Sequence, residues 1–211
     1  MSNECQAVHD LLRNLDRHTF PFDGGKLPFN GVYILFERGE QGHNGDRIVR
    51  IGTHTGVKQL QPRLKQHFLN KNKDRSIFRK NIGRAILSRN DDSFLKFWNI
   101  DLTAKQAREK YSLSIDFNYQ HLIEEEVSRY IQANFSFCVI ELDDKLQRLE
   151  VESKLISTIS LCDECSPSKE WLGNFSPKEK IVESGLWLVN ELYKTPFSAF
   201  DINQFSNLIK K

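Results

Sequence analysis

No stretch of this 211-residue sequence approaches the roughly 20 consecutive apolar residues that a membrane-spanning helix needs, so no such helix is expected. The first thirty residues are charged and carry no apolar core of the kind found in a secretory leader, so no signal peptide is expected either. Cysteine is scarce: Cys5, Cys138, Cys162 and Cys165 do not form a secreted disulfide framework, which makes a reducing, cytoplasmic location the expectation. Cys162-x-x-Cys165 is a single pair, with Cys5 and Cys138 at no diagnostic spacing, and it is read as two reduced thiols rather than zinc ligands. Internal repeats, low-complexity tracts and long linkers are also missing, which argues against an array or two separate units. The net charge of +2 does not by itself announce a nucleic-acid partner.

What is present is a core and an uneven charge distribution. An apolar content of 39% that includes 15 Phe argues against wholesale disorder. Between Lys58 and Arg89 there are ten Lys/Arg against one acid, Asp74, and between Glu141 and Glu170 acids outnumber bases. Such a pairing suits a polyanion and a metal, although solvated helix faces would give the same pattern.

The periodicities predict an α+β chain. Residues 4–17 repeat Val8, Leu11, Leu12 and Leu15 at helical spacing, and Pro and Gly then break the pattern up to Gly31. Strands are predicted at 31–37 and 47–53, joined by a loop with Asn-Gly near its end. Two helices follow, "LQPRLKQHFLNKN" with Pro62 in its first turn and "SIFRKNIGRAILSR" with Ile77, Ile82, Ile86 and Leu87 as its stripe. Residues 91–134 read as a helical insertion with two helices, residues 135–142 as a buried strand, and the segment from Asp143 to Ser160 as a helix capped by Asp143 or Asp144. A short helix closes the chain near 200–210.

Several residues stand out, each with an ordinary explanation beside the chemical one. Glu152 falls within the apolar stripe of Leu149, Ile156 and Ile159, where a carboxylate must be paired, metal-bound or facing a cleft; a buried salt bridge would serve. Arg63 and His67 share a helix face and could clamp a phosphate, or form a plain surface pair. Tyr33 is normally a strand packing residue, Arg50 a solvent-facing one, and His54 a turn residue.

Their order changes the weighing. Gly31-Val32-Tyr33, then Ile51-Gly52, "RLKQHF" at 63–68, "SIFRKNIG" at 76–83 and "ESKLI" at 152–156 together resemble the GIY-YIG nuclease family. With "RIGTH", "PSKEWLG" and "SGLW", which look like phrases of a particular subgroup, the resemblance runs from about residue 29 to about residue 193. It implies a small antiparallel three-stranded sheet flanked by helices, with the helical insertion and a helical C-terminal extension. The chain then divides into an N-terminal helix and loop (1–28), a nuclease core (29–161, including the insertion 91–134) and an extension packed on the core (162–211). Arg50 departs from the family, which usually carries a second tyrosine there, so no two-tyrosine relay is assigned.

The expected activity is metal-dependent hydrolysis of DNA phosphodiesters. The resemblance implies Arg63 as the catalytic arginine, with His67 beside it, and Glu152 as the metal ligand. One Mg²⁺ (or Mn²⁺) suits a single carboxylate better than two ions. Tyr33 is the expected general base, helped by Arg50 or His67. His54, Lys58, Arg75, Arg79 and Lys80 are the expected contacts to nucleic acid. Cutting both strands would call for a homodimer. Competing readings are a DNA-binding module inactivated at Arg50 and an interaction protein whose charges only solubilise it.

Overall fold

The computed structural model describes residues 2–209; Met1, Lys210 and Lys211, at the ends of the expected N-terminal and C-terminal segments, lie outside the described residues. The class is α+β, as the periodicities imply. Its antiparallel sheet has the order β1–β4–β2–β3, from β1 (His18–Thr19), β2 (Gly31–Gly42), β3 (Gly45–Gly52) and β4 (Phe135–Glu141). The fourth strand is the difference from the three-stranded expectation. β1 is two residues long, pairs only with Phe137 and Ser136, and is too short to have a readable period.

The hairpin is also tighter than its sequence suggested. β2 continues to Gly42, and the turn is His43-Asn44, both with positive φ (50° and 62°). That is the backbone a two-residue type I′ turn requires, and it matches the right-handed twist of the strands. The surplus length of β2 is taken up between Phe36 and Gln41, where the register slips around Gly39. The slip turns Glu37 and Glu40 inward. Glu37 accepts the indole N–H groups of Trp171 (2.8 Å) and Trp187 (2.9 Å), and Glu40 accepts from Arg47 (2.6 Å) and the Ser168 hydroxyl (2.6 Å). These carboxylates thereby anchor the C-terminal segment to the sheet.

Each sheet face carries its own core. Tyr33, Leu35, Val49 and Phe137 pack under α2 (Leu60–Phe68), α3 (Ile77–Arg89) and α6 (Phe117–Asn134). Val32, Ile34, Phe36 and Ile140 pack against α1 (Ser2–Arg13), α7 (Lys145–Ser160) and α9 (Ala199–Ile209). Short helices α4 (Leu95–Trp98), α5 (Lys105–Tyr111) and α8 (Glu179–Ser184) complete the chain. Ser76, Asp116 and Asp144 cap α3, α6 and α7, each accepting a backbone N–H of the first turn. The stripe expected on α3 is not its main feature. α3 is enclosed almost all round from Phe78 to Leu87, while Ile77 is exposed and borders a cleft.

Two details place the site. Leu35 pairs with Arg50 but Phe36 pairs with Ile48, so Val49 is a bulge, and both Val49 and Arg50 face the α2/α3 layer. The outer edge of β3 is covered by the segment after α8: Trp187 N–H donates to Val49 O at 2.8 Å, and Arg47 donates to Gly185 O at 2.6 Å. Among the described residues no helix is long and apolar enough to cross a membrane.

Candidate active site

Tyr33 stands opposite Gly52 in the β2–β3 register, and its ring lies over that glycine. A Cβ at position 52 would sit 2.2 Å from the Tyr33 hydroxyl oxygen, so any side chain there would displace the phenol. The hydroxyl shares a 2.8 Å hydrogen bond with His67 Nε2, and His67 Nδ1 shares one of 2.7 Å with Ser76 Oγ. Ser76 is itself fixed as the α3 cap through the Arg79 N–H. Both Tyr33 and His67 are 0% exposed. Burial, reinforced by the guanidinium groups of Arg50, Arg63 and Arg79, holds the His67 pKa well below its usual value, so the imidazole is neutral.

Beside this pair lies a cleft of about 480 Å³ whose lining includes Arg50, Arg63, Leu149, Glu152, Trp187 and Glu191. Arg50 is 4% exposed, donates to the Trp187 carbonyl and sits 5.1 Å from the Phe78 ring centroid. Its Nε–H is buried without a hydrogen-bond partner, which is costly for a cation and leaves donor capacity for an anion. Arg63 reaches in from α2, donating to Gln66 Oε1 (3.1 Å) and the Arg75 carbonyl (3.3 Å). Glu152 comes from the opposite layer, its Oε1 accepting the Thr53 N–H at 3.0 Å just beyond the end of β3. Burial raises the Glu152 pKa and the neighbouring Glu191 adds to that, while the Thr53 N–H, Arg50 and Arg63 lower it. The cleft thus opens where both helical layers meet the rim of β3. It holds two cations and two carboxylates, Glu152 and Glu191, while Tyr33 and His67 are buried and do not line it.

The expected nucleic-acid contacts divide into two groups. Lys58, in a left-handed turn (φ 57°) with its ammonium 5.1 Å from the Phe29 ring, and Arg75 are exposed. The other three are committed internally. Arg79 is fully buried and paired with Glu124 at 2.7 Å, donating also to Ser128 Oγ and the His67 carbonyl. Lys80 shares Asp74 with Lys73, each at 2.9 Å. His54 accepts the Gly31 N–H at Nε2 (3.3 Å) and bonds the Gly56 carbonyl through Nδ1 (2.7 Å), which makes it a loop fastener. The run 58–89 is therefore not one basic surface, because a helix enclosed on nearly all sides must neutralise its own charges.

Four participants were not foreseen: Thr53, Ser76, Trp187 and Glu191. Ser76 had a local signal, since a serine before a helical run is a natural cap. The other three join the site through long-range packing, which no local pattern encodes.

The arrangement defines an α+β domain with a cleft at the end of a hairpin that is lined by two arginines and two carboxylates, of which Glu191 is paired with Lys194 at 2.7 Å. The chain belongs to the GIY-YIG domain family, whose model matches residues 7–211. The family is in general one of endonucleases. No curated protein matches the chain, and no solved structure does.

Proposed function

We propose that the chain is a metal-dependent endonuclease of DNA, active in the cytoplasm. The observation that supports this most is that Arg50, Arg63 and Glu152, drawn from β3, α2 and α7, line one cleft. The donor set suits a hard divalent ion. Glu152 is a half-buried carboxylate with one oxygen on Thr53 N–H and an ionised form that burial disfavours, so a cation beside it would relieve that cost. When bound, a Mg²⁺ or Mn²⁺ ion supplies Lewis-acid polarisation of the scissile phosphate and charge for the leaving oxygen.

The chain's own residues do the rest. Arg63 and Arg50 hold the phosphate and offset charge developing on its non-bridging oxygens. His67 donates Nδ1–H to Ser76 and accepts the Tyr33 proton at Nε2, which aims the free lone pairs of the hydroxyl away from the imidazole. Tyr33 then acts as base towards the attacking water, with His67 accepting its proton only in passing, since burial and the nearby guanidinium groups disfavour the imidazolium. Lys58 and Arg75 add backbone affinity.

Nicking of supercoiled plasmid in Mg²⁺ tests the proposal, with Glu152→Gln and Arg63→Ala as comparisons and circular dichroism to establish folding. Wild type should cut and both variants should lose activity by at least about a hundredfold. Equal inertness of all three, with DNA still bound at low salt, would establish the non-catalytic DNA-binding reading, for which the complete burial of Tyr33 is the favouring observation.

A further inference from the structure

At the turn end of the β2–β3 hairpin, opposite the end that holds Tyr33 and Gly52, five soft donors crowd together. The donor atoms of Cys5, His9, His43 and Cys165 all lie within 4.8 Å of one another. Cys162 Sγ is 3.4 Å from His43 Nε2 and also interacts with the Cys5 thiol. Cys165 Sγ is 3.6 Å from His9 Nε2, and Cys5 Sγ is 3.6 Å from His9 Nδ1. All the cysteines are free thiols. With Zn–S of about 2.3 Å and Zn–N of about 2.0–2.1 Å, neighbouring donors around a tetrahedral zinc ion sit roughly 3.3–3.8 Å apart. The Cys162–His43, Cys165–His9 and Cys5–His9 distances fall in that range, and the donors of Cys5, His43 and Cys165 lie within 4.8 Å of one another.

We propose that Cys5, His43, Cys162 and Cys165 bind a structural Zn²⁺ ion, separate from the cleft at Glu152. The sequence pattern led to the opposite expectation for Cys162-x-x-Cys165, because its partners come from α1 and from the hairpin turn, far away in the chain. Four ligands must be chosen from five donors, and the hydrogen bonds select them. His9 has both ring nitrogens engaged, Nδ1 with the Cys5 carbonyl at 3.0 Å and Nε2 with the Ile48 N–H at 3.2 Å. Recruiting its Nε2 to a metal would orphan a buried backbone N–H. His43 has no such commitment in its ring, and its Nε2 lies 3.4 Å from Cys162 Sγ.

The surroundings are built for this approach. A Cβ on Gly42 would lie 2.9 Å from Cys165 Sγ, so the sulfur can close on the turn only because residue 42 is glycine. Arg13 of α1 holds the turn by donating to the carbonyls of Gly42, His43 (2.9 Å) and Asp46 (3.3 Å). Thiolate and imidazole donors select zinc over the hard ions that suit Glu152. The ion would tie three segments together: the first helix, the hairpin turn and the loop after α7.

The test is metal content of the full-length protein purified without chelator, by elemental mass spectrometry, and the absorption of the Co²⁺-substituted protein. About one zinc per chain is expected, with thiolate-to-cobalt charge transfer and the visible bands of a tetrahedral ion. Cys162→Ser and His43→Asn, at partly exposed positions tolerant of change, should each lower zinc affinity at least tenfold, whereas His9→Gln and Glu152→Gln should retain the ion. Wild-type protein that carries no zinc and gives no charge-transfer band overturns the proposal. Unchanged zinc affinity in Cys162→Ser or His43→Asn, measured by competition with a chelator of known affinity, overturns it equally. Loss of zinc in His9→Gln with retention in His43→Asn overturns the ligand assignment. None of these readouts depends on nuclease activity.

Discussion

Thr53 presents its backbone N–H to Glu152 Oε1 at 3.0 Å, tying the end of β3 to α7 across the boundary between the two helical layers. The bond satisfies one carboxylate oxygen while burial keeps the charge expensive. Glu152→Gln preserves the acceptor and removes the charge. It is expected to abolish cleavage and yet raise Tm in metal-free buffer, by about 2–4 °C for each kcal/mol recovered in a chain of this size. Calorimetry alongside the plasmid assay checks this, and a lowered Tm would mean that the charge is already compensated without metal.

Tyr33 and Gly52 make a second pair of linked expectations. Tyr33→Phe keeps the ring and deletes only the bond to His67, so a base role predicts a fall in kcat of about 10²–10⁴-fold with KM little changed. Gly52→Ala forces a methyl against the phenol and should cost about 1–3 kcal/mol in urea denaturation as well as activity. If Tyr33→Phe cleaves normally, Tyr33 is a packing residue only.

The buried neutral imidazole of His67 gives stability a pH dependence of definite sign. Its folded-state pKa lies below the unfolded value of about 6.5, so the unfolded chain takes up the proton first as pH falls. The contribution is complete above that value and is lost below it, at up to about 1.4 kcal/mol per pH unit. His43 and His54, also lowered by burial, add to the slope, while Glu37 and Glu152, raised by burial, act in the opposite sense through their own range. Denaturant midpoints between about pH 5 and 7 should show a shallower slope in a folded His67→Gln variant. Superimposable slopes would show that His67 is not the titrating group.

The basic residues separate by role. Lys58→Ala and Arg75→Ala should leave Tm nearly unchanged, weaken DNA binding, and each reduce the slope of log affinity against log salt by about 1 if it contacts a phosphate. Arg79→Ala should instead strip the partner from buried Glu124 and cost about 3–5 kcal/mol. Fluorescence anisotropy over a salt series, paired with thermal melts, distinguishes the two classes.

The sequence carried the elements better than their relations. Periodicity found α2, α6, α7 and the three long strands, because each buries a face that repeats along the chain, and it found α3 although that helix is enclosed almost all round. The two-residue turn His43-Asn44 was obscured by the polar run before it. That run turned out to be strand with a register slip, stabilised by Trp171 and Trp187 from the far end of the chain. Arg50 shows the limit at the site. A cation in a strand reads as solvent-facing, yet the Val49 bulge turns it to the helical layer, where the Trp187 carbonyl receives it. Arg79 and Lys80 show the converse, since their partners Glu124 and Asp74 are found only once the helices are packed.

The covering of β3 by the segment from Gly185 to Trp187 has a consequence for the molecule's sociability. An edge strand with free N–H and C=O groups is a template on which another chain can pair. Here Val49 O is taken by Trp187 N–H, and Arg47 and Arg50 grip the Gly185 and Trp187 carbonyls from below. The same clasp that orients Arg50 towards the cleft occupies this stretch of the β3 edge, so edge protection and charge placement depend on one short stretch of backbone.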